Sequence, residues 1–284
     1  MKKLEIKSKS VIKMLQPVIL IPVRTKVLKP GDDIVKAIIS AVKENSIKIE
    51  EDDIFVITEK VVAYSQGRII NLKTIKPSKE AIKLGKKYNI EPELMQLIIN
   101  ESDKILGGIR KYRFMLTIKD GYMIGNAGID RSNAPKNHVV LVPKNPKETA
   151  QEIRRRLMEH FKVNLCVVIV DSRTQPLRRG LIGLAISGAG FEPIEDLRGQ
   201  PDLFGKPLRT SWKGTADDIA SAAHLLMGEA NEQVPIVIVR GVKVKKTDKA
   251  FDSKDMYIPP ENCLYFKSLG IKVSKNKIIG VDTI

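Results

Sequence analysis

The apolar positions of the N-terminal part follow first a helical and then a strand-like pattern. They recur with helical spacing over residues 34–42, and Asp32 or Asp33 precedes them in the position of an N-cap. Residues 53–62, with the apolar run 54–57, predict a buried strand. Gln66-Gly67-Arg68 predicts the turn that follows it.

The middle of the chain combines short helical patterns with strand patterns. Helical spacing predicts two helices, at residues 79–88 and 91–100. Residues 102–109, interrupted by glycines, are expected to form a connection without regular structure. Two strands are predicted further along, at 114–119 and 138–143.

A longer helix and a central strand are predicted next. Residues 145–161 begin with Asn-Pro and carry apolar residues on one face, so arginines 154–156 are expected on the solvated face. Residues 163–170 are rich in β-branched side chains and predict a strand buried on both faces. Asp171 follows at its C-terminal end, where ligands of open sheets commonly bind.

The C-terminal half carries a glycine-rich segment and the clearest helical pattern. Residues 180–190 contain four glycines, which indicates close backbone packing or a loop near a ligand. Residues 216–230 predict a helix and 235–239 a second buried strand. Glu229, in the last turn of that helix, opposes the helix dipole unless a cation compensates it.

These elements predict an α+β fold of two intertwined lobes, with mixed β-sheet and helices. No repeat, linker or low-complexity tract divides residues 1–284, so one body is expected, with a weak seam near Asn145. The tail 243–284 alternates too irregularly to be assigned a function.

The charge of the chain is strongly positive, with a formal net charge of +16 and a pI near 9.7. Its lysines are spread along the sequence, the only dense run is 243–249, and no aromatic-rich basic motif is present. A diffuse basic surface is therefore favoured over nucleic-acid binding, and it also suits a polyanionic small substrate.

Cysteine usage and hydropathy predict a cytoplasmic protein. Cys166 and Cys263 lie far apart without the spacing of a zinc site or a disulfide framework, which favours a reduced protein. The residues before Gln16 hold no sustained apolar core, and 18–23 is too short to cross a bilayer. Neither a signal peptide nor a membrane span is predicted.

The candidate chemistry centres on the loop 126–133, which holds Asp130 and Asn133 close to Gly128. Such a loop can bring a carboxylate and an amide to a metal-nucleotide site, or it can form only an Asx-type turn. Asp171, with Ser172 beside it, and Glu229 provide further oxygen ligands. Oxygen-only ligands suit Mg²⁺ or Mn²⁺ better than zinc.

Other catalytic arrangements leave no trace in the sequence. The glycines around Lys206 do not form a Walker loop, and no nucleophile elbow surrounds Ser187. The three histidines, His138, His160 and His224, lack the spacing of metal ligands or of a triad.

Four motifs follow one another along the chain: Asn126-Ala127-Gly128-Ile129-Asp130-Arg131-Ser132-Asn133, Asp171-Ser172, Asp196-Leu197-Arg198-Gly199 with Asp202 and Gly205, and Met227-Gly228-Glu229. Together they resemble those of the coenzyme F420-0:L-glutamate ligase family, the γ-glutamyl ligases of deazaflavin cofactor biosynthesis. The order and approximate spacing agree from about Pro22 to Gly241.

The resemblance implies a GTP-dependent ligase, a homodimer of an unusual α+β fold, with two divalent metals (Mg²⁺ or Mn²⁺) and K⁺ as an optional further ion. Asp130, Asp171, Ser172 and Glu229 would hold the metals. The implied nucleotide contacts are Thr25, Lys26, Val27, Leu28, Glu59, Lys60, Asn133, Met227, Gly228, Ala230 and Asn231. Asp130, Asp171 and Arg198 are the implied catalytic residues, and Arg198 could equally hold the fold through an ion pair.

The implied reaction phosphorylates the acceptor carboxylate with GTP and lets the glutamate amine displace phosphate from the acyl phosphate. No protein nucleophile is required. The chain departs from the family pattern at Tyr64, in place of a lysine, at Gln66, in place of a glutamate, at Ser172, in place of a threonine, and at Thr174-Gln175, in place of Gly-Arg. Two alternatives stay open: a folate-like acceptor, and a basic binding protein that has lost catalysis.

Overall fold

The computed structural model describes residues 16–273 and 277–278. The strands of this part are β1 (Ile19–Val23), β2 (Ile54–Thr58), β3 (Ile69–Asn71), β4 (Lys104–Ile109), β5 (Phe114–Lys119), β6 (Tyr122–Gly125), β7 (His138–Val140), β8 (Cys166–Thr174), β9 (Leu181–Phe191), β10 (Glu195–Asp196), β11 (Trp212–Lys213), β12 (Ile236–Arg240) and β13 (Lys246–Asp252). The helices are α1 (Ile34–Glu44), α2 (Glu59–Ser65), α3 (Lys79–Tyr88), α4 (Pro92–Glu101), α5 (Pro146–Phe161), α6 (Thr215–Met227) and α7 (Leu264–Ser268).

A six-stranded sheet in the order β1-β12-β2-β8-β9-β13 forms the centre of the fold. β2 and β8 run parallel, and the other neighbouring pairs are antiparallel. Successive residues of a strand face opposite sides, so Phe55 joins a core with α1 and α5, whereas Val56 joins a core with α6. Both faces of β2 are therefore buried, which explains its continuous apolar sequence.

A second layer of structure lies beside this sheet. The three strands β4-β5-β6 and the ribbon β3-β7 surround a third core that also contains apolar residues of α3 and α4. Met95 and Ile98 of α4 pack there with Met115 of β5. The loop between β6 and β7 joins two strands of this layer, and the chain returns to the central sheet through α5 and β8.

Most predicted elements are confirmed, including the mixed α+β class and the helices α1, α3, α4 and α5. Asp33, rather than Asp32, caps α1 and accepts hydrogen bonds from the backbone of Val35 and Lys36. Three of the four glycines of 180–190 lie in β9 and pack closely, as one prediction had it: a Cβ on Gly183 would lie 2.3 Å from the Ala220 carbonyl oxygen.

Two predicted elements in the first half are wrong. The strand expected over 53–62 ends at Thr58, and Glu59 begins α2. Apolar residues resume at Val61 after Thr58-Glu59-Lys60, and Val62 and Ala63 of the helix are buried, so the pattern of burial continues past the junction. Residues 102–109, expected as a connection, form β4 because their glycines are accommodated at a register shift between Ile105 and Gly107.

Further corrections concern the C-terminal half. β8 extends to Thr174, so Asp171 lies inside the strand and pairs with Leu184 of β9. α6 ends at Met227, which leaves Glu229 outside the helix. Of the arginines predicted on the solvated face of α5, Arg154 is only 11% exposed in its side chain, and its Nε donates to the Leu165 carbonyl at 2.8 Å.

The tail contains β13, which adds an edge strand to the central sheet, and α7. Residues 1–15, on which the signal-peptide prediction rests, and 274–276 and 279–284 lie outside the described residues. Within the described part, no helix is long and apolar enough to span a membrane. Both cysteines are free, and burial raises the pKa of the Cys166 thiol to about 11. The seam near Asn145 stays a prediction.

Candidate functional site

Three acidic side chains from separate elements line one cleft, which has a volume of about 1100 Å³. Glu59 is the first residue of α2, directly after β2. The pairing of β2 with β8 ends at Thr58 and Val170, and Asp171 is the next residue of β8. Asp130 is held beside Val140 by two backbone hydrogen bonds of 3.0 and 2.8 Å. The parallel β2-β8 pair thus brings Glu59 and Asp171 to the same edge of the sheet.

Asp130 is tied to a cation and to its own loop. Its Oδ2 lies 2.5 Å from Lys60 Nζ and accepts a hydrogen bond of 2.7 Å from Ser132 Oγ. Burial works to raise the pKa of Asp130, but Lys60 and Ser132 together hold it below its ordinary value. Ser132 N also donates to Asp130 Oδ1 at 2.7 Å, so the Asx-type turn considered from the sequence exists within the site.

The carboxyl groups of Glu59 and Asp171 have fewer compensating partners than that of Asp130. Burial raises the pKa of each, the charge of Asp130 raises both further, and the charge of Glu59 also raises that of Asp171. Lys60 acts in the opposite direction on both groups without cancelling the effect. Glu59 accepts from Thr58 Oγ1 at 2.8 Å, and Asp171 accepts from the Ser172 backbone at 2.6 Å. Buried acids with raised pKa values in a cleft are typical of functional sites.

Tyr122 joins the acids from β6 and was not singled out from the sequence. Its hydroxyl is buried in the cleft wall without a hydrogen-bond partner among the described residues. Burial, with the charges of Asp171, Asp120 and Glu59, raises the pKa of this phenol well above its ordinary value. Only its place in an apolar strand was visible in the sequence, and that pattern gives no sign of a polar role.

The implied nucleotide residues form a second group next to the acids. Asn133 Nδ2 donates to the Ala230 carbonyl at 3.1 Å, and Tyr64 Oη donates to the Asn133 carbonyl at 2.7 Å. The Thr25 backbone donates to Gln233 at 3.3 Å. Three distant segments of the chain are thus brought together, and Tyr64, at the position of the family's lysine, is part of this network.

Glu229 and Gly228 lie at the end of the same loop. Glu229 lines the cleft, is 47% exposed in its side chain, and its Oε1 lies 2.5 Å from His224 Nε2, the neighbouring group that can carry a positive charge. Gly228 has φ +70°, and a Cβ there would lie 2.2 Å from the Glu232 carboxyl carbon. Glu232 in turn accepts from the Ala230 backbone at 2.8 Å.

Several implied site residues lie outside the cleft lining. Lys26 pairs with Glu44, Leu28 and Met227 pack on the cores, and Val27 and Asn231 are exposed. Arg198 donates to Asp196 and stacks on Trp212, with its guanidinium carbon 4.3 Å from the ring centre. These contacts match the ion-pair alternative for Arg198, and the cleft is lined by other arginines.

The donor chemistry of the site fits Mg²⁺ or Mn²⁺, because Asp130, Asp171, Ser172 and Glu229 all offer oxygen and all line the cleft. They do not form a closed protein cage: among residues 16–273 and 277–278, no three acidic, histidine or cysteine side chains are grouped to hold a metal ion. Mg²⁺ is usually held by one or two carboxylates together with substrate phosphates, and this open arrangement agrees with that mode.

The fold and site define an α+β protein with an acidic, ligand-sized cleft, and sequence comparison gives its family. The F420-0:Gamma-glutamyl ligase family matches residues 22–241, and the chain belongs to this family. The Coenzyme F420:L-glutamate ligase of Methanothermobacter thermautotrophicus is 39% identical over 211 residues, covering 74% of this chain and 83% of the relative. That of Methanopyrus kandleri is 36% identical over 223 residues, covering 78% and 86%.

Proposed function

We propose that the protein is a GTP-dependent ligase that joins L-glutamate to the carboxylate of coenzyme F420-0 through an acyl phosphate. The observation that carries the proposal is the acidic group of Glu59, Asp130 and Asp171 in one cleft, next to the Asn133-Ala230 contact. Family membership and the names of the relatives support the acceptor and the amino acid.

The reaction needs no nucleophile from the protein. An acceptor carboxylate oxygen attacks the γ-phosphorus of GTP, and GDP leaves. The glutamate amine then attacks the acyl carbon, and phosphate leaves with one oxygen of the acceptor. The cleft would hold these groups in line, and such positioning supplies much of the rate acceleration of phosphoryl transfer.

The residues of the cleft have separate tasks in this proposal. Asp130, Asp171, Ser172 and Glu229 would hold the divalent cations, which neutralise phosphate charge when bound. Lys60 supplies a positive charge beside Asp130 that a phosphate oxygen can share. Glu59 is not a proposed metal ligand, and its raised pKa makes its ionised carboxylate a stronger base than an ordinary glutamate, so it is suited to accept the proton of the attacking amine.

The proposal is tested by product formation with purified protein, GTP, Mn²⁺, glutamate and F420-0. We expect phosphate release that depends on both organic substrates, and a product heavier than F420-0 by one glutamyl residue. A parallel reaction with a folate acceptor tests the sister activity, and ATP in place of GTP tests the nucleotide. Absence of product in every arm, together with salt-dependent binding to RNA or DNA, would instead support the basic binding protein.

We also propose that the protein assembles as a homodimer. Large apolar side chains are exposed outside the cleft, at Leu177, Leu203 and Phe204, the last two in the segment between β10 and β11. Surfaces of this kind often mark protein contacts. Sedimentation analysis is expected to give twice the chain mass, and Phe204→Ser is expected to shift the protein towards monomer.

A further inference from the structure

The cleft has a wall that lies beyond the family match. Residues 253–266 follow β13 and line the cleft, whereas the match ends at residue 241. Ser253 Oγ donates to the Ile186 carbonyl at 3.1 Å, and Asp255 pairs with Lys147 of α5 at 2.7 Å. Phe266 is buried. This segment, called the C-terminal wall below, is therefore fixed to the body of the protein.

The C-terminal wall presents apolar side chains that do not belong to a core. Tyr257, Ile258 and Tyr265 are 46%, 55% and 51% exposed, and all three line the cleft together with Met256. An exposed set of this size has a free-energy cost in water, and its position in a concave site points to a ligand.

A second wall of the cleft, formed by β5, is apolar for a reason that follows from strand geometry. Phe114, Leu116 and Ile118 alternate along β5 and line the cleft, while Met115 and Thr117 between them are fully buried. The two walls meet at the β5-β6 turn, where Lys254 Nζ of the C-terminal wall lies 3.0 Å from Asp120 Oδ1. A Cβ on neighbouring Gly121 would lie 3.0 Å from the Tyr257 ring.

Polar groups without protein partners lie along the same cleft. The Tyr122 hydroxyl and the Arg173 Nε are buried and have no hydrogen-bond partner in the described part of the chain. Both residues line the cleft, and Tyr122 lies near enough to Asp171 and Glu59 to feel their charges. The cleft thus offers donors for an acidic ligand close to the acids, and apolar walls beyond them.

The residues associated with nucleotide binding do not line the apolar part of the cleft, so this part can bind a different molecule. Asn133, Ala230 and Thr25 contact or neighbour the loop after α6, and none of them lines the cleft. Asp130 belongs to the same loop as Asn133 and lines the cleft together with the apolar side chains, so the acids adjoin both groups. A molecule whose carboxylate reaches the acids from the apolar side would meet the γ-phosphate there.

We propose that the C-terminal wall and β5 bind the planar aromatic part of the acceptor, and that Tyr257 and Ile258 determine its affinity. The inference rests on the proposed function, because it takes the carboxylate of that acceptor to be the reacting group. The occupant is an elongated aromatic acid, of the class to which F420-0 belongs, seated between two apolar surfaces.

The test is calorimetric titration of F420-0 into the protein without nucleotide, and separately of GDP with Mn²⁺. Tyr257→Ala and Ile258→Ala are each expected to weaken F420-0 binding about tenfold, as expected for loss of a buried apolar contact, and to leave GDP binding unchanged. In turnover, KM for F420-0 should rise while kcat at saturation stays within about twofold. Tyr257→Phe, which keeps the ring, should bind like the unaltered protein.

Leu269→Ala is the matched control, since Leu269 is also exposed, at 71%, and lies outside the cleft lining. Wild-type affinity for F420-0 in both Tyr257→Ala and Ile258→Ala would overturn the inference, as would absence of F420-0 binding by the unaltered protein. Weakened binding of F420-0 in these variants would support binding of the acceptor by the C-terminal wall. This would hold even if the unaltered protein formed no amide, and only the proposed reaction would then fail.

Discussion

Two buried acids at opposite ends of β2 have very different surroundings. Asp53, just before the strand, is fully buried, and its two oxygens accept hydrogen bonds of 2.7 Å each from Arg240. It also accepts from the Glu50 backbone at 2.8 Å. Glu59, just after the strand, faces Asp130 and Asp171 and keeps a raised pKa.

The difference separates a structural acid from a functional one. A buried charge with full hydrogen-bonded compensation holds the ends of strands together, and removing one partner costs a large fraction of total stability. A group of buried acids with incomplete compensation lowers stability, so its presence in a folded protein calls for another role. In this chain that role is proposed to be binding cations, phosphates and a reacting carboxylate.

The largest expected effect is on turnover. Asp130→Asn and Asp171→Asn should each lower kcat at least about a thousandfold, because each removes a carboxylate proposed to hold the cations that neutralise the transferring phosphoryl group. Steady-state phosphate release with GTP, glutamate and F420-0 measures the loss. Asp248→Asn is the control, since Asp248 is exposed and its nearest cation, Arg154 Nη1, lies 3.8 Å away. Equal activity in all three variants would remove the acids from the mechanism.

The next effect is on folding at the other end of β2. Asp53→Ala leaves the mostly buried Arg240 guanidinium with only Glu50 and the Lys48 carbonyl as partners. We therefore expect a loss of about 3 kcal/mol in the free energy of unfolding. Urea denaturation of the variant, beside Asp248→Ala, measures this. A loss below about 1 kcal/mol would mean that the Asp53–Arg240 pair contributes no more to stability than an exposed ion pair.

Replacing an acid within the site is expected to raise the free energy of unfolding, by less than the loss of Asp53 lowers it. The pKa of Asp171 is raised on folding, so the folded protein keeps a proton that the unfolded chain loses, and stability falls as pH rises through that range. In metal-free buffer, Asp171→Asn should therefore be more stable than the unaltered protein at pH 7–8, by about 1–3 kcal/mol. The gain should vanish as pH falls to about 4, where the ordinary carboxyl also holds its proton. Thermal unfolding of both proteins, measured from pH 4 to pH 8, tests this expectation. A variant less stable than the unaltered protein at pH 8 would contradict it.

The smallest effect is expected at Arg198, implied as catalytic by the family resemblance. Because its guanidinium is bound to Asp196 and Trp212 outside the cleft, Arg198→Ala should change kcat/KM by less than about threefold. Arg173→Ala, which alters an arginine of the cleft lining, is the matched comparison. A hundredfold loss in Arg198→Ala alone would restore the catalytic assignment.

Much of the fold was accessible from the sequence because periodicity reports burial. The helices α3 and α5 follow from spacing and from signals at their first turns, such as Pro146. The strand-to-helix change at Glu59 was missed because apolar residues resume at Val61 after Thr58-Glu59-Lys60 and no glycine or proline marks the boundary. The strand β4 was missed because its glycines, read as breakers, lie at a register shift.

The candidate site was accessible in part. Asp130, Asp171 and Glu229 stood out as acids at the ends of apolar runs or helices, and the structure brings all three to one cleft. Glu59 and Lys60 came only from the family resemblance. Tyr122 and the C-terminal wall carried no signal, because their role depends on which distant surfaces face each other, and local spacing does not record that.

Phosphorylation of the acceptor carboxylate can be tested by following one of its oxygen atoms into the released phosphate. F420-0 labelled with ¹⁸O in its reacting carboxylate is incubated with the protein, GTP, Mn²⁺ and glutamate, and the released phosphate is analysed by mass spectrometry. Activation of the carboxylate by phosphorylation predicts one ¹⁸O in each phosphate released with product, and no labelled phosphate with Asp171→Asn. Amide formation with unlabelled phosphate would contradict the account.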